Sequence, residues 1–281
     1  MLAEQILREG NPEDSLAQLQ EQVRKDPANP NYRVFLFQLL AVLGDWNRAA
    51  TQLKVAGELD AGTLAMVQTY REALRCEVLR ADIFAGRNTP LVFGKPDKWV
   101  ALMIEALRAS AQGDHVGAQA LRDEAFELAP VTSGAIDEQP FEWIADADQR
   151  IGPILEVIVN GAYYWVPFDR IREIRIEAPA DLRDLVWMPA QLIWSNGGGT
   201  VGLIPTRYPG SEASEDNLIR LARRTEWQEP EPGVYVGLGQ RMLATDAAEF
   251  PLMDIRLISL DTSDDDAAGE GSGAGEAVTG G

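Results

Sequence analysis

Apolar positions recur at helical spacing through the first 130 residues and then give way to short, nearly continuous runs. Residues 3–9 form a short opening helix. Leu16, Leu19 and Val23 share one face of a second helix over 12–25, for which Pro12 suits the first turn. Asp26-Pro27 and Asn29-Pro30-Asn31 interrupt the pattern. From Tyr32 to Leu43 most positions are apolar, and such a helix is buried between neighbours. Gly44-Asp45 turns the chain, and residues 46–57 return. One long helical pattern spans 61–84, with Leu64, Val67, Leu74, Val78 and Leu79 as its core positions. A loop with Gly86, Pro90, Gly94 and Pro96 covers 85–97. A last pair follows at 98–111 and 114–129, with Trp99, Met103 and Leu107 facing Ala118, Leu121 and Ala125.

The turns resemble one another. Gly10-Asn11-Pro12, Gly44-Asp45-Trp46 and Gly113-Asp114-His115 each stop one helix and start the next. The first two glycines are 34 residues apart and the last two 69, about twice that. A period near 34 is that of tetratricopeptide-type repeats. The glycine expected near position 78 is absent, so 61–84 reads as a degenerate repeat whose two helices have merged or been replaced. Stacked repeats of this kind offer a concave surface for other proteins, and an adaptor is the first expectation.

After Pro130 the texture changes. Strands are expected at 154–159, 162–167, 171–176, 184–188, 190–194, 201–205, 234–244 and 255–258. Asn160-Gly161 between two apolar runs is a hairpin signal, and 196–199 is a looser turn. Residues 144–149 read as a last helical turn and 215–224 as one interrupting helix. The fold class expected is α+β: a tetratricopeptide-like helical array (1–130), a linker (131–140), a small mainly-β domain built as a bent sheet or barrel (141–260), and a disordered acidic, glycine-rich tail (261–281).

Charge narrows the partners. With 44 acidic against 25 basic residues the net charge is −19, of which the tail supplies −6. Such a chain is repelled by phosphate backbones and anionic lipid, which argues against a nucleic-acid barrel and membrane insertion. No apolar run is long enough to span a bilayer, and residues 1–15 hold no apolar signal core, so a cytoplasmic location is expected. The single cysteine, Cys76, and single histidine, His115, leave a zinc site or a Ser-His-Asp triad without members. His115 reads as a solvent-facing turn residue and Cys76 as core. No cofactor or metal is expected. Carboxylates lie close in sequence at Glu142/Asp146, Asp146/Asp148 and Asp181/Asp184, the raw material of acid–base hydrolysis or simply of a solvated face. The alternative to an adaptor is therefore a carboxylate-dependent hydrolase with a cleft between its two domains. A deep pocket of converging acids with displaced pKa values would mark the hydrolase, an open apolar groove the adaptor. Arg71, Arg75 and Arg80 stand out in the acidic first half; they serve local pairing with Glu72, Glu77 and Asp82, or form a basic edge on a helix-binding groove. The candidate partner-binding residues are Tyr32, Phe35, Tyr70, Arg71 and Arg75. The aromatic clusters Tyr163-Tyr164-Trp165, Trp187 and Trp194 are expected to fill the second core.

Specific stretches carry a likeness to a known family: 141–150 (FEWIADADQR), 152–161 (GPILEVIVNG), 164–169 (YWVPFD), 185–189 (LVWMP), 203–211 (LIPTRYPGS) and 239–246 (GQRMLATD), with 91–94 (LVFG) and Trp99 in the first half. Over about residues 1–260 the chain resembles the ImpE/TagJ family of type VI secretion accessory proteins. The resemblance implies a cytoplasmic, non-enzymatic factor associated with the small sheath subunit TssB and linked to ClpV, the ATPase that disassembles contracted sheath. It brings no catalytic motif and assigns no contact residue.

Overall fold

A computed structural model of the chain describes residues 2–231 and 233–262. From residue 263 onward, the tail expected to be disordered lies outside the described residues. Seven helices fill the first half: α1 (Leu2–Arg8), α2 (Pro12–Lys25), α3 (Pro30–Val42), α4 (Trp46–Leu59), α5 (Leu64–Phe84), α6 (Lys98–Ala111) and α7 (His115–Leu128). The repeated glycines make one device. Gly44 sits at φ 73°, its N–H bonds to Ala41 O, and the Asp45 N–H reaches back to Leu40 O at 2.9 Å. That pair of bonds closes α3. The Asp45 carboxylate then accepts the Arg48 N–H and opens α4. Gly113-Asp114 repeats these bonds between α6 and α7, and Gly10-Asn11 between α1 and α2. The same pair of hydrogen bonds recurs at Gly86-Arg87, closing α5. The turn missing near position 78 is thus displaced to 86, and α5 runs on as a single helix.

The second half holds β2 (Gly134–Ile136), β3 (Gln139–Phe141), β4 (Ile144–Asp146), β5 (Ile154–Val159), β6 (Ala162–Pro167), β7 (Ile171–Ile176), β8 (Trp187–Trp194), β9 (Gly199–Pro205), the short α8 (Asn217–Arg220), β10 (Thr225–Glu231), β11 (Val234–Gly239), β12 (Met242–Thr245), β13 (Glu249–Pro251) and β14 (Leu257–Leu260). Together with β1 (Leu91–Val92) from the first half, they build a nine-stranded sheet in the order β1-β6-β5-β9-β8-β7-β14-β2-β3, all antiparallel but for β1 beside β6. β10-β11 is a separate hairpin and β13-β12-β4 a small third sheet. Asn160 and Gly161 make the β5–β6 turn, both at positive φ.

Several boundaries differ from those expected. Residues 134–141 form the hairpin β2–β3 on the sheet, not a linker. The segment 144–149 begins with a strand, not a helical turn. The expected strands at 184–188 and 190–194 are a 3₁₀ turn at 182–185 followed by one long strand, β8. The helix expected at 215–224 shrinks to the single turn of α8, and 234–244 divides into β11 and β12 at Gly239.

Two cores share the large sheet. One face packs against α1–α7 through Ile154, Ile158, Trp165, Trp187 and Leu203. The other covers a second core of Leu155, Val157, Val159, Ile174 and Ile258, closed by Leu243 and Leu252. Every residue of β5 is buried, as a strand covered on both faces must be. No described helix is long and apolar enough to cross a membrane.

Candidate functional site

The alternation of β5 sends Glu156 to the helix-facing side with Ile154 and Ile158, where its exposure is 0 %. A lone carboxylate there would be costly. Instead α5 brings Arg80 onto it at 2.6 and 3.0 Å, the Arg241 guanidinium shares its Oε2 with Arg80, and Tyr163 donates its hydroxyl. Arg241 also reaches Asp146, which accepts the Tyr208 hydroxyl at 3.0 Å and the Asp148 N–H at 2.8 Å. Arg80 lies beside Glu77, which accepts the Trp187 indole N–H at 2.9 Å. The result is a buried chain of charge, Glu77–Arg80–Glu156–Arg241–Asp146, from α5 through β5 to β4. Burial pushes Glu156 up, but Arg80 and Arg241 outweigh it and hold the carboxyl well below the usual range. Burial pushes Asp146 up to about 7 against the pull of Arg241, and raises Glu77.

Two further arginines tie the sheet half to helix ends, where terminal carbonyls lack intrahelical donors and carry partial negative charge. Arg207 donates to Val42 O at 2.8 Å and Ala41 O at 3.4 Å, the last carbonyls of α3. Arg223 donates to Leu7 O and Arg8 O at the end of α1. Arg80 in turn donates to the Arg207 carbonyl at 2.9 Å, linking the charge chain to the α3 cap. Burial lowers the Arg207 pKa to about 10.

A groove of about 410 Å³ opens between the end of α7 and β4, lined by Phe126, Pro130, Val131, Trp143, Ala145 and Ala244 among others.

The five candidate partner-binding residues part company. Phe35 and Tyr70 are buried in the helical core, Tyr70 between Phe37 and Trp187 with the Arg183 guanidinium over its ring. Tyr32 packs half-buried against the same core. Arg71 and Arg75 are exposed, at 62 % and 76 % of their side chains, and share Glu72 at 3.2 and 2.6 Å. Arg80 is buried, and its principal acid is Glu156 on the sheet, with Glu77 as the local one. His115 is exposed at the head of α7. Cys76 is buried, its thiol near Gly161 O, and burial pushes its pKa up to about 11. Asp181 and Asp184 form a capping box around the 3₁₀ turn at 182–185. Sequence reasoning passed over Glu156, Arg207 and Arg241. A single acid inside the apolar run of β5 was the available signal.

The ImpE protein family model matches residues 138–259, which span the sheet half from β3 to β14. A relative from Pseudomonas aeruginosa, the type VI secretion system accessory component TagJ, is 52 % identical over 264 residues, covering 94 % of this chain and 92 % of its own. The chain belongs to the ImpE/TagJ family. The crystal structure of the protein VPA1032 from Vibrio parahaemolyticus superposes with a TM-score of 0.85 at 24 % identity, covering 94 % of this chain and 98 % of that one. That likeness carries the fold. The helices and the sheet of this family member therefore form a shared architecture, and the matched segment contains Asp146, Glu156, Arg207, Arg223 and Arg241.

Proposed function

We propose that this protein is a non-enzymatic accessory component of a type VI secretion system, acting in the cytoplasm as an adaptor. In this reading its helical half, tetratricopeptide-like in its turns, binds a helix of the small sheath subunit TssB. Binding serves sheath assembly or the ClpV-dependent disassembly of contracted sheath. The observation that carries the reading is the 52 % identity to a named accessory component along nearly the full length of both chains. The interior supports it against the hydrolase alternative. The converging acids are present and displaced, but the side chains of Glu156 and Asp146 are 0 % exposed and already engaged by Arg80, Arg241, Tyr163 and Tyr208. Neither side chain is exposed to solvent, and each is committed to donors of the protein's own.

A pull-down of the purified protein with TssB, its sheath partner and ClpV tests this reading, which fails if none is recovered. Within it, the exposed pair Arg71 and Arg75 is the first surface to change. Arg71→Glu with Arg75→Glu is expected to weaken TssB binding about tenfold, measured by calorimetry, with the melting temperature held. Unchanged affinity would leave both arginines to Glu72.

A further inference from the structure

The α7–β4 groove joins three features that the adaptor reading leaves unused. The first is exposed apolar side chain. Phe126 is 39 % exposed, Trp143 40 % and Val131 78 %, and all three line the same opening. Isolated apolar residues on a surface need no account, but three converging on a concavity do. Its build is deliberate: a Cβ on Gly152 would lie 2.6 Å from the Phe126 ring, so only glycine lets that ring close one wall. The second is the floor. Ala145 and Ala244 are directly paired across β4 and β12 and so present their methyls on one face, with Ala147 two residues further along the chain. Small residues between aromatic walls leave room for large incoming side chains.

The third feature is charge. Among the residues lining the groove there is no lysine or arginine. Exposed acids stand next to its walls: Glu127 follows Phe126, Glu142 precedes Trp143, and Glu249 pairs with Ala244 across β12–β13. This border matches a cationic partner. Strand addition is disfavoured, although β4 is at the edge of its sheet, because the Asp146 N–H is already taken by Gly152 O at 2.7 Å. Side-chain insertion from a helix remains the mode that this site suits.

We propose that the groove between α7 and β4 docks an amphipathic helix of a partner protein, which inserts large apolar side chains between Phe126, Val131 and Trp143 and carries lysines or arginines along its borders. The site differs in place and charge from the Arg71–Arg75 edge of α5, and it does not depend on the assignment to a secretion machine.

The probe is an 18-residue leucine/lysine amphipathic peptide, with a serine/lysine peptide of equal charge as control. Calorimetry should show binding of the first and not the second, with peptide helicity rising on binding by circular dichroism. Trp143→Asp and Val131→Asp should each weaken it roughly tenfold or more. Glu127→Lys with Glu142→Lys should weaken it and flatten its salt dependence. A photo-crosslinking leucine analogue in the peptide should label Phe126 or Trp143 of the unaltered protein, which needs no variant to fold. Equal binding of the two peptides, indifference to the groove variants, binding without helix gain, or crosslinks elsewhere would overturn the proposal. So would a groove variant that converts a dimer of the unaltered protein to a monomer by light scattering, since a second copy would then be the occupant.

Discussion

The turns at Gly44-Asp45 and Gly113-Asp114 are the same object in two settings. Each has a left-handed glycine, at φ 73° and 81°, and each has an aspartate that caps the next helix by accepting an N–H three residues on. Their surroundings differ. A Cβ on Gly44 would lie 2.5 Å from the Glu212 Cγ, and Arg207 caps the helix that this turn closes. A Cβ on Gly113 would meet nothing within 4 Å. The local sequence writes the turn, and the docking of the sheet half decides whether it is interior or surface. The docked edge therefore belongs to the body of the molecule. The α6–α7 hairpin keeps its turn exposed and contributes α7 to the open groove.

Loss of the charge that secures the docked edge should have the largest effect. Glu156→Gln leaves Arg80 and Arg241 buried without their shared anion, and Arg80 positions the Arg207 carbonyl. Breaking a buried pair by removing one partner costs about 3–5 kcal/mol. Urea unfolding should show a loss of that size, and amides of α3–α4 should gain more exchange than those of α6–α7. A loss under about 1 kcal/mol would mean that the apolar seam alone holds the halves together.

The paired glycines give the next largest effect. Gly113→Ala meets open space and carries the left-handed penalty alone, about 1–2 kcal/mol. Gly44→Ala carries the same penalty and must also displace Glu212, for a total of about 3 kcal/mol. Adding Glu212→Gly, which removes both the Cγ and the Cβ that would stand 2.8 Å away, should bring the Gly44 cost down to that of Gly113, a coupling that a double-mutant cycle reads directly. Equal costs for the two single variants would dissolve the contrast.

These examples mark what was legible in the sequence. Glycine-aspartate turns, the length of α5 and the Asn160-Gly161 hairpin are set by local backbone chemistry, so the α+β class and most long elements could be read. β1 to β4 have two or three residues each, too few to display a period, and exist through distant pairings such as Ile136 with Ile258 and Leu91 with Tyr164. Phe35 and Tyr70 illustrate the limit for sites. α3 is buried at every position from Phe35 to Val42, so its sequence marks no outward face, and Tyr70 is enclosed by Trp187, more than a hundred residues away. Glu156 was conspicuous within its strand, but its partners Arg80 and Arg241 are brought to it only by the tertiary fold.

Arg223 sets the smallest effect and grades the comparison between its extremes. Its bonds to Arg8 O and Leu7 O are long, 3.2 and 3.4 Å, and a Cβ on Gly10 would meet its Nη1 at an ordinary 3.7 Å. The α1–α2 turn is thus docked, but loosely, between the enclosed turn at Gly44 and the open one at Gly113. Arg223→Met keeps much of the side chain's bulk and removes the donors. It should cost about 0.5–1 kcal/mol, close to the noise of a global unfolding curve. Hydrogen exchange is the better reading. Amides of α1 and α2 should exchange several-fold faster while those of α3 and α4 stay protected, because the α3 cap is held by Arg207 and not by Arg223. If protection fell along all four helices together, docking would be a single cooperative contact, and the grading from enclosed to open turns would have no energetic counterpart.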